Sequence, residues 1–242
     1  MTLENDVVLI TGASRGLGRS MANRFSNEGA HLSLISRTEP DLRTVQNEIA
    51  GESVIAPTNI RNADEVTNAI DKTIDSFGRI DTVVNNAGIS QLGLTDERQA
   101  LVDVSESMWD RILETNLKGI FLIAKAAIPY MGTGDRANII NISSGLGRYA
   151  AAGAGPYVAS KWGLEGLTRV LALEHEDEIN VNALDPGGRV NTDIWAHLPQ
   201  AEREEILQPD VMDEAAVLLA KQSPGGITGE SKTATDWEQI LG

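Results

Sequence analysis

The sequence predicts an α/β architecture: a three-layer, doubly wound parallel sheet of about seven strands with helices on both faces. Three observations lead there. Short apolar runs recur along the 242 residues, and segments of helical periodicity separate them. The runs are apolar throughout rather than alternating, as strands buried on both faces are. Hydrophobic residues make up 41% of the chain, enough for one large core, and no repeat, low-complexity tract or linker interrupts it, so residues 1–242 read as a single domain.

The elements follow in order. "VVLIT" (Val7–Thr11) reads as the first buried strand, and Arg19–Gly29 as a helix ended by Gly29. "HLSLIS" (His31–Ser36) is the second strand, followed by a polar helix toward Ile49. "SVIAP" (Ser53–Pro57) is the third. Ala63–Gly78 is an amphipathic helix with Val66, Ile70 and Ile74 at four-residue steps. "DTVVNNAG" supplies a fourth strand, and a long helix is expected over Glu106–Met131. "ANIINISS" is the fifth strand, a helix over Pro156–His175 follows, and "INVNALDPGG" is the sixth. A helix near Asp213–Ala220 and a short strand near Ser231–Thr235 complete the pattern. Right-handed crossovers then give a Rossmann-type sheet. Thr192–Pro209 is polar, follows a strand end and is a candidate lid.

Composition excludes several chemistries. There is no cysteine, hence no disulfide, thiolate nucleophile or Cys-based zinc site. His31, His175 and His197 lack ligand spacing, so no metal is expected. No apolar run approaches a membrane span, and "MTLENDVVLITGA" lacks the pattern of a signal peptide; a cytoplasmic protein is expected. A formal charge of −15 repels nucleic acid and anionic membranes. Of 20 basic residues only six are lysine, leaving 14 arginines. Such an acid-rich, lysine-poor balance suits an ordinary solvated surface or adaptation to concentrated salt.

Three motifs bear on chemistry. The first strand runs into "TGASRGLG": Gly12, Ser14, Arg15, Gly16, Leu17 and Gly18 form a strand-to-helix turn. Its glycines permit positive φ and close backbone approach, and the helix N-terminus offers free N–H groups to a pyrophosphate. The second strand ends in Ser36-Arg37 rather than an acid. An acid there would bond an adenosine ribose and favour NAD, whereas arginine accommodates a 2′-phosphate; NADP is therefore expected over NAD, with Arg15 as a second cation. In "GPYVASKWG", Tyr157 and Lys161 stand one helical turn apart and share a face. The pair is compatible with a buried tyrosine beside a snorkelling lysine, and equally with a proton-transfer pair.

Together these motifs resemble the compact, single-domain short-chain dehydrogenase/reductase family, and within it the 3-oxoacyl-carrier-protein reductases. The resemblance rests on "TGASRGLG", "NNAG", "NLKG", "NISS", "YVASK", "DPGG" and "ITG", in that order along nearly the whole chain. It implies an NADP(H)-dependent oxidoreductase that interconverts a carbonyl and a secondary alcohol. Tyr157 would be the proton donor, Lys161 its partner, Ser144 the hydroxyl on the substrate oxygen and Asn116 a member of the relay behind the lysine. Ser143 is expected to face away. An adjacent ammonium is expected to lower the tyrosine pKa from its usual value of about 10. The resemblance also places Asn86, Ala87 and Gly88 beside the adenosine ribose and Asn59 and Ile60 beside adenine. It places Pro186, Gly187 and Val190 beside the nicotinamide, although Pro186 to Thr192 holds one residue more than is usual. Leu92, Leu146, Tyr149, Trp195 and Leu198 are candidate substrate lining. The long helices imply a homotetramer or homodimer. The acidic run Glu174, Glu176, Asp177 and Glu178 argues against an acidic carrier-protein partner. A non-catalytic NADP-binding sensor on the same fold is the alternative.

Overall fold

A computed structural model describes residues 2–132 and 134–242. Seven parallel strands form one sheet: β1 (Val7–Thr11), β2 (His31–Ser36), β3 (Ser53–Pro57), β4 (Thr82–Asn85), β5 (Asn138–Ile142), β6 (Asn180–Asp185) and β7 (Ser231–Thr233). Their order is β3-β2-β1-β4-β5-β6-β7. The direction of winding reverses between β1 and β4, and it is at the carboxyl ends of such a pair that a crevice opens.

The apolar strands are explained by two cores, one on each face. Val8, Ile10, Leu32, Leu34, Val84 and Ile140 point to one side, where Met21, Phe25, Leu42, Leu219 and Trp237 cover them. Leu9, Ile35, Val83 and Ile139 point to the other, beneath Val66, Ile70, Ile123 and Leu171. The covering helices on the first side include α1 (Gly16–Asn27) and α2 (Glu39–Glu48). Those on the second include α3 (Ala63–Phe77). Asn62 caps α3 by accepting from the Asp64 and Glu65 amides, and Gly78 ends it at φ 78°.

After β4 come a single turn, α4 (Leu92–Thr95), and then α5 (Glu106–Leu113). The long helix expected over Glu106–Met131 is not uniform. Residues Glu114–Lys118 form a π-helical turn between α5 and α6 (Gly119–Ala127), and Ile128–Tyr130 close in a tighter 3₁₀ turn. A π-bulge of this kind admits an extra residue and re-aims the side chains around it. Here it buries Asn116 completely.

Helix α7 (Gly155–Glu174) follows β5, and α8 (Gln200–Glu205) lies in the segment expected to be a lid. That segment is tied down at its base by a single parallel bridge between Val190 and Leu207. Helix α9 (Asp213–Ala220) matches its expected place, and β7 stops at Thr233, two residues sooner than expected. Thr233 instead caps a further helix, α10 (Ala234–Leu241), in a reciprocal box with Asp236. Its Trp237 is fully buried and donates from Nε1 to the Ala183 carbonyl at 3.0 Å. Among the described residues no helix is long and apolar enough to cross a membrane.

Candidate active site

A cleft of about 940 Å³ opens at the carboxyl ends of the strands. One end is the turn between β1 and α1. Gly12 and Gly16 adopt φ of 68° and 52°. A Cβ at Gly12 would sit 2.9 Å from Asn86 Nδ2 and 3.0 Å from Ala87 Cα, so the turn closes only without a side chain. Asn86 straps it: its Nδ2 donates to the Thr11 carbonyl at 2.9 Å and the Gly12 carbonyl at 3.2 Å. The Thr11 hydroxyl accepts from the Asn86 and Ala87 amides. Thr11, the strand end that opens the "TGASRGLG" motif, thus holds the two loops together. The N-terminus of α1 has no side-chain cap, which leaves its first amides open to the cleft.

At the end of β2, Ser36 and Arg37 face the same cleft. The Ser36 hydroxyl is buried without a hydrogen-bond partner among the described residues. Arg37 is exposed and has no ion-pair partner among them. Arg15, the second expected cation, is paired with Asp193 at 2.7 Å, and a Cβ at Gly16 would meet Thr192 at 3.2 Å. The glycine turn and the lid segment therefore touch. Asn59 and Ile60 line the cleft, with Asn59 Oδ1 accepting from the Arg61 amide and Nε.

The other end gathers Ser144, Tyr157 and Lys161. The Lys161 ammonium is buried and donates to the Ile142 carbonyl at 2.7 Å, and it lies 5.6 Å from the centre of the Tyr157 ring. Ser144 hydrogen-bonds Tyr157, and its Oγ also accepts from the Leu146 amide at 3.2 Å. Ser143 faces away as expected: its hydroxyl donates to Glu165 Oε1 at 2.5 Å. Asn116 lies behind the cleft wall. Its Oδ1 accepts from the Ile89 amide at 2.9 Å, and its Nδ2 donates to the Ile89 carbonyl at 2.8 Å and to Ser160 Oγ at 3.1 Å.

The electrostatics correct one expectation. Burial pushes the Tyr157 hydroxyl up to about 12; a hydrogen bond from Ser144 opposes the shift and the Asp185 carboxylate adds to it. Burial likewise brings Lys161 down to about 8, against the pull of Glu165 and Asp185. Desolvation therefore outweighs the expected lowering of the tyrosine by its lysine neighbour. Beneath the pair, Arg148 bonds Asp185, and its Nη1 donates to Ser231 Oγ at 2.9 Å, while Ser231 Oγ donates to Glu165 Oε1 at 2.9 Å. Glu165, Asp185 and Arg148 come from three separate segments, and nothing in the local sequence around each pointed to the cluster.

Every site residue expected from the sequence lines this cleft except Gly18, Asn116 and Leu198. Gly18 serves packing: a Cβ there would stand 2.3 Å from the Gly12 carbonyl oxygen. Asn86, Ala87, Gly88, Pro186, Gly187 and Val190 line the middle, and Leu92, Leu146, Tyr149 and Trp195 the substrate end.

The family model for short chain dehydrogenases matches residues 6–203. The chain belongs to the short-chain dehydrogenase family. It is 34% identical to a hydroxy(phenyl)methyl-succinyl-CoA dehydrogenase subunit of Thauera aromatica, with 95% of each chain covered. It is 32% identical to the 3-oxoacyl-acyl-carrier-protein reductase FabG of Thermotoga maritima, over 95% of this chain and 96% of that one. A short chain dehydrogenase of Shigella flexneri complexed with NADP superposes with a TM-score of 0.86 at 25% identity, covering 96% and 98% of the two chains. The family and fold expected from the motifs are those found, and short-chain dehydrogenases are oxidoreductases that use NAD(P).

Proposed function

We propose that this short-chain dehydrogenase is an NADP(H)-dependent enzyme that interconverts a carbonyl and a secondary alcohol. The observation that carries the reading is the convergence of Ser144, Tyr157 and Lys161 on one cleft whose other end is a glycine turn with no room for a side chain. The cradle fits a dinucleotide on its own terms. The turn exposes amides with no side-chain cap for a pyrophosphate, and the Ser36 hydroxyl lies beside Arg37, neither with a side-chain partner among the described residues, where a 2′-phosphate would be received. When bound, the nicotinamide supplies or accepts the hydride.

The protein residues do the rest. With its pKa at about 12, Tyr157 stays protonated near neutral pH and is set to deliver its phenolic proton to the carbonyl oxygen. The Ser144 hydroxyl donates to the same oxygen. Lys161, charged below its pKa of about 8, faces the tyrosine ring and steadies the phenolate left behind. Asn116 is a positioning residue: it pins Ile89 and Ser160, and the Ser160 hydroxyl in turn donates to the Tyr157 carbonyl at 2.7 Å. No observation in the cleft favours a binding-only sensor, since both tyrosine and lysine are in place.

A cytoplasmic homo-oligomer belongs to the same reading. On α7 the exposed Trp162, Val170 and Leu173 fall on one side of the helix, beside Gly166, where a Cβ would meet nothing within 4 Å. Exposed apolar surface around a small residue suits close helix contact with a second copy. The acidic end of α7, with Glu174 and the residues after it, disfavours an acidic carrier protein as the substrate's bearer. Incubation with NADPH and a panel of ketones tests the reaction; light scattering tests assembly. No oxidation of NADPH across the panel, or a mass of one chain, would overturn the respective part.

A further inference from the structure

The charges of the protein are not evenly spread. Eight of the 20 basic side chains line the cleft, but only three of the 35 acidic ones do: Asp41, Asp185 and Asp193. The cleft lining therefore sums to 8 − 3 = +5, and the remainder of a −15 chain to −20. Cofactor phosphates would account for Arg15 and Arg37. Arg61 is paired with Glu114 and Arg148 with Asp185. Lys161 belongs to the candidate proton-transfer pair, and three cleft arginines without an ion pair among the described residues remain: Arg111 on α5, and Arg98 and Arg189 on loops at the substrate end.

Arg98 stands on the loop after α4. Its side chain lies across Gly153, 2.8 Å from where a Cβ would be, and Nη1 donates to the Ala152 carbonyl at 3.2 Å. This places it on the segment that leads into Tyr157. Arg189 stands on the loop after β6, with its guanidinium 5.3 Å from the centre of the Trp195 ring. Helix α4, from which the first loop leaves, meets the second loop where Gly93 packs on Ile194, at 3.2 Å from a Cβ position. Both arginines are exposed and line the cleft. Neither has a carboxylate within ion-pair distance among the described residues, although the chain holds 35 acids. Most other arginines have found one: Arg19, Arg24, Arg43 and Arg79 are all paired.

Two guanidinium groups on loops that line one cleft, neither with a carboxylate among the described residues, leave positive charge there that an entering anion would offset. Their planar forks match a carboxylate or a phosphate. We propose that the carbonyl substrate carries such an anionic group, held by Arg98 and Arg189 at the mouth of the cleft. The proposal rests on the carbonyl-reductase reading above and names its substrate class.

The test uses the full chain and the variants Arg98→Gln, Arg189→Gln and the double variant. Oxo acids of increasing chain length are compared with their methyl esters, and a ketone phosphate with its dephosphorylated form. The KM for the anionic member of a pair should be about tenfold lower or better, and that advantage should vanish in the double variant with kcat, melting temperature and NADPH affinity nearly unchanged. Which arm shows the advantage separates carboxylate from phosphate. Calorimetric titration with the corresponding hydroxy acids and with a glycerol phosphate gives a second readout that needs no turnover. Esters used as well as acids, with anion binding unaltered in the double variant, overturn the anion site and leave the reductase reading intact. Anion binding lost in the double variant without turnover of any carbonyl supports the anion site and rejects the reductase reading.

Discussion

The Lys161 ammonium sits 5.6 Å from the centre of the Tyr157 ring while giving a 2.7 Å hydrogen bond to the Ile142 carbonyl. One residue is thus shared between holding the wall of the cleft and supporting the candidate proton donor. Tyr157→Phe removes the proton and little volume. It should reduce turnover by about 10²–10⁴ while NADPH binding, followed by fluorescence, stays nearly intact. Lys161→Ala should damage both, because it also frees the Ile142 carbonyl. Substantial activity in the phenylalanine variant would mean that another group delivers the proton. The pH profile follows from the same pair. Tyr157, at about 12, remains protonated across the working range, whereas Lys161, at about 8, loses its charge within it. Carbonyl reduction should be level on the acid side and fall above about pH 8; a profile that is level through pH 8 would exclude Lys161 as the titrating support.

Cofactor preference turns on Arg37, which has no ion-pair partner among the described residues, and on Arg15, which has one in Asp193. A charge-assisted hydrogen bond contributes about 1.5–3 kcal/mol, or roughly 10- to 150-fold in affinity. Arg37→Ala should weaken NADPH by about that factor and leave NADH little changed. Asp193→Ala should release Arg15 and tighten NADPH by a few fold, about what an exposed ion pair contributes. Equal losses for both dinucleotides in Arg37→Ala would sink the assignment to NADP.

Asp213, far from the chemistry in sequence role, is a place where stability can be raised. Burial pushes its carboxyl up to about 6, against a hydrogen bond from Ser20 and with Asp210 adding to the shift. Its Oδ1 is buried with no partner among the described residues, while Oδ2 accepts from Ser20 at 2.8 Å. A carboxyl whose folded pKa exceeds its unfolded value stabilises the fold fully below the unfolded value, near 3.8, and loses that contribution as pH rises through about 6. Asp213→Asn retains an acceptor for Ser20 and removes the titration. Because the group is partly exposed and screened by solvent, the substitution should raise stability by no more than about 1 kcal/mol at pH 7 and change it little at pH 4, as chemical denaturation at the two values would show. A loss at pH 7 would mean that the charge at the start of α9 matters more than its desolvation.

The strands were legible because burial on both faces fills them mostly with apolar residues, as in Val7–Thr11; Asn138–Ile142 keeps the pattern although its Asn138 and Asn141 are buried on hydrogen-bond partners. The glycine turn and the Tyr157–Lys161 spacing were legible because each is a local geometric requirement. The π-helical turn at Glu114–Lys118 was not, since "ETNLK" holds no helix breaker; what bends the helix is the tertiary demand of Asn116 for the Ile89 backbone. Helix α10 announced itself in Thr233 and Asp236, a capping pair that the strand reading of Ser231–Thr235 passed over. The balance that lifts the Tyr157 pKa is set by how deep the cleft wall lies and by Asp185, brought in from another strand, and no spacing rule carries that.

Salt is the remaining lever. The −15 charge and the shortage of lysine motivate adaptation to concentrated salt, and the structure sharpens the case by placing five net positive charges along the cleft and leaving −20 for the rest. Like charges at that density oppose both compaction and subunit contact. The Debye length falls from about 10 Å at 0.1 M to about 3 Å at 1 M, so molar salt screens most of that repulsion. It also weakens exposed ion pairs such as Arg43–Glu39, but pairs of that kind contribute little to begin with. Thermal stability should therefore rise between dilute buffer and molar KCl. The cleft should respond in the opposite sense, because screening of Arg37, Arg98 and Arg189 loosens their hold on anions. KM for NADPH should climb over the same titration while the melting temperature and kcat rise. A melting temperature that is flat or falling with added KCl would show the acidic surface to be simply a solvated one, and adaptation to salt would have to be abandoned.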